Sequence, residues 1–227
     1  MDSMAQQQLG WRIQTDFVRI PEALAATARD IPTAVIGDVS HRLFSFPGGF
    51  RNYSARALRV AGPAFTVRVR PGDNLFLHKA LDIALPGDVI VVSGGGVLDN
   101  ALLGEMMGRY AVSRGIAGIV IDGAVRDIEG LAELPIPVYA RGVTPNGPFK
   151  SGPGEIGYPI AAGNVSVSSG DLVVGDSDGV IVLPRADAAP VIDKALAHVA
   201  TEALWIEQIA AGTWPRGWVD QAIAQGS

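Results

Sequence analysis

The chain has no cysteine, which excludes disulfides, thiolate nucleophiles and cysteine–zinc centres. Its three histidines, His41, His78 and His198, have no histidine neighbour at ligand spacing, which argues against a histidine-built zinc or iron site. Basic clusters are also missing. Eighteen Lys+Arg against 23 Asp+Glu leave a formal net charge of −5, so nucleic acid is not an expected partner. No apolar run approaches the roughly 18 residues of a membrane span, and no membrane association is expected. The first twenty residues hold Asp2, Trp11, Arg12 and Asp16 where a signal peptide would be continuously apolar. The expectation is a soluble cytoplasmic protein. The Gly94–Gly96 loop matches neither G-x-G-x-x-G nor G-x-x-x-x-G-K-[ST], so it is not a phosphate or dinucleotide fingerprint. Ser166, Ser168 and Ser169 have no identifiable base beside them, and a serine hydrolase is not supported.

What is present points to a packed α/β protein. Apolar residues make up 48% of 227, enough for a sizeable core, and 28 Gly with 15 Pro imply many tight turns. No linker or composition break divides the chain. It reads as one domain over 1–227, with an N-terminal extension over 1–20 and a C-terminal tail from 212.

A first helix is predicted over 21–30, with Pro21 near its first turn. A second, capped by Thr33, runs through Ile36, Val39 and Leu43. Residues 44–52 read as loop. Residues 64–69 alternate as a half-buried strand. A helix over 75–85 leads through Pro86-Gly87-Asp88 into Val89-Ile90-Val91-Val92, a strand suited to burial on both faces. Gly94-Gly95-Gly96 breaks that strand, with close backbone approach to a ligand as its modest claim. A helix follows over about 100–114, with Leu102, Leu103, Met106, Met107 and Tyr110 on its apolar side and Gly115 beyond its end. The next strand is 116–121, completing a βαβ unit whose two strands should be parallel. Short strands are predicted over 135–139, 165–167, 172–174 and 180–183, with a turn at Asp176-Ser177-Asp178-Gly179. A long helix over 186–211 has Val191, Ala195, Leu196, Val199 and Leu204 as its apolar set.

Chemistry concentrates between Gly94 and Glu129. Arg126-Asp127 lies just past a buried strand, where ligands of open α/β sheets collect. Asp127 could bind a metal, and Arg126 a carboxylate or an enolate oxygen. The plainer alternative is a surface turn with an ion pair worth ~0–1 kcal/mol. Glu105 lies near the start of its helix, where free N–H groups favour anions. It could equally be the partner of Arg109 one turn on. Asn74 and His78 share a helix face. Lys150 lies in a Gly/Pro loop.

Several segments carry a family resemblance: 33–38, Gly72-Asp73-Asn74 with His78, 86–89, Gly104-Glu105, 122–127, 137–142, and 170–180. The sharpest is an acidic residue, twenty intervening positions, then Arg-Asp. The chain resembles the 4-hydroxy-4-methyl-2-oxoglutarate/4-carboxy-4-hydroxy-2-oxoadipate aldolases and the regulator of ribonuclease activity A-like proteins, over about residues 24–207. Those aldolases commonly have Asp where this chain has Glu105, and many members have an acidic residue where it has Gly130. The resemblance implies an α-β-β-α sandwich of the swivelling-domain type with a central βαβ unit. It implies a class II pyruvate aldolase using Mg²⁺ or Mn²⁺, with oxaloacetate decarboxylase side activity. Asp127 would ligate the metal and Glu105 would hold metal-bound water. Arg126 would stabilise the enolate, and the N–H groups of Met106 and Met107 would receive the substrate carboxylate. Asn74, His78 and Lys150 would complete the pocket, with Glu202 of a neighbouring subunit in a homotrimer or homohexamer. The alternative within the same resemblance is a non-catalytic protein that binds a ribonuclease.

Overall fold

β-Branched runs punctuated by Gly and Pro form the strands of the computed structural model, which describes residues 8–54 and 58–226. The first seven residues of the predicted extension lie outside the described residues. The chain runs α1 (Glu22–Arg29), α2 (Thr33–Val39), β1 (Arg51–Asn52), β2 (Val60–Val69), α3 (Leu75–Ile83), β3 (Val89–Ser93), β4 (Ala101–Leu103), α4 (Glu105–Ser113) and β5 (Gly118–Val125). It continues through α5 (Ile128–Ala132), β6 (Val138–Val143), β7 (Gly154–Ile156), β8 (Ile160–Ala162), β9 (Val165–Val167), β10 (Leu172–Gly175), β11 (Val180–Leu183), α6 (Arg185–Ala210) and α7 (Gly217–Gln225).

Four layers result. The main sheet has the order β1-β6-β5-β3-β2-β10-β11, with β4 on β5 and β7 on β2. β3 pairs in parallel with both β2 and β5, as the βαβ unit predicts. The first residues of β2 pair antiparallel with β10, and its later residues pair with β3, so the sheet folds over on itself along this strand. Strand alternation then sorts side chains into separate cores. Ile90 and Val92 face α3, α4 and α5, together with Leu77, Leu81, Ala111 and Leu131. Val89 and Val91 point the other way, against Val173, Val180 and Val182 of the folded-over strands. Beyond those strands a third core joins Leu172, Val174, Ile181 and Leu183 to α1, α2 and α6. This is the α-β-β-α sandwich.

Several local expectations need correction. Thr33 is the first residue of α2 and not its cap: its hydroxyl and N–H both donate to Asp176, at 2.6 and 2.8 Å, which ties α2 to the β10–β11 turn. The helix ends at Val39 and leaves Leu43 exposed. β2 begins at Val60 and is covered on both faces, because each half lies between two layers. Its polar Thr66 is buried with its hydroxyl bonded to Ser169 Oγ and to the Tyr158 carbonyl. Leu102 and Leu103 belong to β4, not to a helix, and α4 begins only at Glu105, leaving Met106 78% exposed. β5 and β6 both begin later than predicted, at Gly118 and Val138. In α6 only Ala188, Ile192 and Ala195 are buried, while Leu196 and Leu204 face outward.

Candidate active site

The site is built where β5 ends. Arg126 N donates to the Leu103 carbonyl at 3.0 Å, which locks the strand end to β4. Asp127 follows in a left-handed conformation, φ 57° and ψ 46°. For a residue with a Cβ this costs about 1–2 kcal/mol, so the surrounding packing must hold it there. Its Oδ2 lies 3.6 Å from Arg126 Nε and accepts the Glu105 N–H at 3.2 Å. Gly104 permits this approach. A Cβ there would strike Asp127 Oδ2 and lie 3.0 Å from Arg126 Cγ.

Facing this pair, the first turn of α4 points its N–H groups outward. Those of Met106 and Met107 have no intrahelical acceptor, and the helix dipole adds partial positive charge. A cleft of about 160 Å³ is lined by Asn74, His78, Met106, Met107, Arg126, Asp127 and Lys150, together with the 101–104 segment and Pro148. The structure therefore gathers seven of the residues proposed from sequence. Glu105 does not line this cleft. It borders an adjoining hollow of about 650 Å³ that shares Arg126 and Asp127 and also carries Glu129, Gly130 and Glu133. Glu202 lines neither hollow; it lies on α6, 3.6 Å from His198. The Gly94–Gly96 loop approaches its own chain, not a ligand site: the N–H groups of Gly94 and Gly96 both donate to the Asp122 carbonyl.

The cleft has a mostly apolar wall with its charge concentrated at a few points. Arg126 and Lys150 supply two cations, and α4 supplies its N-terminus. Burial lowers the pKa of His78 from 6.5, and nearby Lys150 lowers it further against a partial offset from Asp82. The imidazole is therefore neutral at pH 7, with one donor and one acceptor nitrogen. Asn74 is buried, and its amide nitrogen donates to the Leu102 carbonyl at 2.9 Å and faces Met107 Sδ at 3.3 Å. Its Oδ1 has no hydrogen-bond partner among the described residues. A buried acceptor left open at a cleft wall favours a ligand that brings an O–H or N–H.

Asp73 enters the sequence reading only within the Gly72-Asp73-Asn74 segment, with no role of its own. It is fully buried, and its carboxylate accepts the N–H groups of Leu75, Ser151 and Gly152 at 2.9, 2.7 and 2.8 Å. It thus starts α3 and pins the loop that carries Lys150. An Asp two residues before an apolar helix was the available signal.

The donor set also suits a hard cation. Asp127 on the shared wall, with Glu105, Glu129 and Glu133 in the adjoining hollow, offers carboxylate oxygen alone. Mg²⁺ and Mn²⁺ favour oxygen ligands, and Mg²⁺ is commonly held by one or two carboxylates with water completing its shell. Among the described residues no group of three or more His, Asp or Glu side chains is placed to hold a metal ion. A cation here would have the Asp127 carboxylate as its protein ligand, with water completing the shell.

The layered α/β architecture carries a cleft with two cationic side chains and a helix N-terminus beside a carboxylate-bearing hollow. The chain belongs to the RraA-like (Aldolase/RraA) family, whose profile matches residues 33–182. A Thermus thermophilus 4-hydroxy-4-methyl-2-oxoglutarate aldolase is 41% identical over 141 residues, covering 62% of this chain and 85% of that protein. A Halalkalibacterium halodurans protein, provisionally named for the same activity, is 41% identical over 167 residues, covering 74% of this chain and 79% of its own length. Among solved structures, Streptomyces coelicolor RraAS2, described as an unusual member of the RNase ES inhibitor RraA family, superposes with a TM-score of 0.75 at 33% identity. That match covers 83% of this chain and 98% of the other.

Proposed function

We propose that the chain is a divalent-metal-dependent pyruvate aldolase that cleaves a 4-hydroxy-2-oxo acid such as 4-hydroxy-4-methyl-2-oxoglutarate or 4-carboxy-4-hydroxy-2-oxoadipate. The observation that carries this reading is the convergence of Arg126, Asp127, the α4 N-terminus, Lys150, His78 and Asn74 on one small cleft. The substrate's 1-carboxylate would lie on the N–H groups of Met106 and Met107. Its 2-oxo oxygen would face the Arg126 guanidinium, which stays charged and offers a planar fork. Lys150 and neutral His78 would receive the polar far end, and Asn74 Oδ1 would accept a hydrogen bond from a substrate hydroxyl.

The 4-hydroxyl would give its proton to a water beside Glu105 as the C3–C4 bond breaks. C4 becomes the carbonyl of the second product, the bond pair becomes the enolate of pyruvate, and that water would return the proton to C3. Arg126 would hold the negative charge that grows on the enolate oxygen. Mg²⁺ or Mn²⁺ held by Asp127 would supply further positive charge at the same oxygen. Loss of CO₂ from oxaloacetate yields the same enolate, so decarboxylation belongs to this reading. We place Glu202 in the site of a neighbouring copy within a homotrimer or homohexamer. In its own chain it borders neither hollow.

A coupled pyruvate assay tests this with several 4-hydroxy-2-oxo acids, with Mn²⁺ or Mg²⁺ and with EDTA. Arg126→Ala should lower kcat/KM by about 10²–10³-fold, the range for removal of one oxyanion donor. Undiminished pyruvate release by Arg126→Ala or Asp127→Ala, or release that resists EDTA, would overturn the assignment. The likeness to RraAS2 supports a second reading, a non-catalytic ribonuclease-binding protein. Ribonuclease capture with no pyruvate release from any oxo acid would favour it.

A further inference from the structure

Gly130 lies in α5 with no left-handed backbone angle, so its conformation alone does not call for glycine. A helix interior prefers alanine. The reason for glycine is space. A Cβ at this position would lie 2.6 Å from Glu105 Cγ, and nearer still to the carboxyl carbon and Oε2. The bare backbone of residue 130 therefore forms the floor of a recess into which the Glu105 carboxyl group folds. In that recess Glu105 Oε1 accepts from Arg109 Nε at 2.7 Å, and Arg109 reaches on to Glu133 at 3.0 Å. The Glu105 main-chain N–H bonds meanwhile to Asp127 Oδ2. Residue 105 thus meets the Arg126–Asp127 pair through its backbone, while Gly130 and Arg109 decide where its negative charge sits.

We infer that Gly130 is a positioning residue for the Glu105 carboxylate. It touches no substrate and acts by leaving room that any larger side chain would take. The two positions form one unit: the longer acid at 105 requires the absent side chain at 130. The kinetic consequence of this inference rests on the aldolase reading, whereas its geometric content does not.

The test is Gly130→Ala, alone and combined with Glu105→Asp, whose carboxylate is one methylene shorter and stops short of residue 130. The atoms displaced by the new methyl belong to a flexible, partly exposed side chain, so the melting temperature of Gly130→Ala should not fall. Its crystal structure should show the Glu105 carboxylate swung away from Arg109. Its kcat for pyruvate release should drop about tenfold or more, as small misplacements of a site group do, with KM little changed. Mn²⁺ affinity, measured by titration, should weaken as well. In the Glu105→Asp background the same Gly130→Ala change should alter neither kcat nor Mn²⁺ affinity. Equal losses in both backgrounds, or a Gly130→Ala structure with Glu105 still on Arg109, would overturn the inference. If the unaltered protein releases no pyruvate, the aldolase reading fails, and the crystal structure and the Mn²⁺ titrations still decide the role of Gly130.

Discussion

Asp73 carries more of the site's geometry than any residue that lines it. With three N–H groups converging on one buried carboxylate, Asp73→Ala would leave those donors without an acceptor and cost about 3 kcal/mol, measurable by chemical denaturation. The loop holding Lys150 would lose its anchor, so KM for a dianionic substrate should rise too. His78 gives a prediction with a definite sign. Burial and Lys150 lower its pKa from 6.5 in the folded chain. As pH falls below 6.5 the unfolded chain takes up a proton that the folded chain refuses. Stability is therefore lost between pH 6.5 and the lowered folded value, and is unaffected by this group above pH 6.5. His78→Gln should flatten the melting-temperature profile as pH falls below 6.5, and leave its slope unchanged at pH 8.

Glu155 shows how one strand is tied to the chain's beginning. Burial alone would raise its carboxyl pKa, but the Gly10 N–H, Arg12 and Arg68 outweigh burial and hold it below 4.5. Its stabilising effect is present at neutral pH and fades as pH falls below about 4.5 through the folded value. Glu155→Gln should weaken the attachment of residues 10–14 to β7, lower stability at pH 7 by about 1–2 kcal/mol, and remove part of the acid sensitivity. Elements with strong local signals were legible in the sequence: the β-branched run of β3, the Gly115 stop after α4 and the turn between β10 and β11. Elements whose identity depends on distant partners were not. Leu102 and Leu103 fall at helical spacing with Met106, yet pairing with β5 draws them into β4, and the helix can start only after Gly104. β7 is three residues long and exists because β2 lies beside it. The site followed the same division. Arg126 and Asp127 were visible as the residues after a buried strand. The left-handed turn at Asp127, the open Asn74 acceptor and the support from Asp73 all depend on contacts between segments far apart in the chain.

The outer end of the molecule is unusually apolar. Beyond Ala195, α6 has no buried residue, and Leu204, Ile206, Ile209, Trp218 and Ile223 are 52–69% exposed. Apolar exposure of this extent would suit an association surface between copies of the chain. With a chain mass of 23.7 kDa, light scattering should give three or six times that value. Replacing Leu204, Ile206 and Ile209 together by Ser should shift the mass toward one chain and reduce pyruvate release along with it; an unchanged mass would remove this surface from the contact. Glu202→Gln should lower activity without altering the mass. The double pairing of β2 has its own outcome. One continuous strand supplies hydrogen bonds to β10 at its start and to β3 farther along, so neither part of the sheet can melt while the other keeps its edge closed. For the dissociated triple-Ser chain, scanning calorimetry should record a single cooperative transition whose calorimetric and van't Hoff enthalpies agree, and no proteolytic cut within β2 should release a fragment that stays folded.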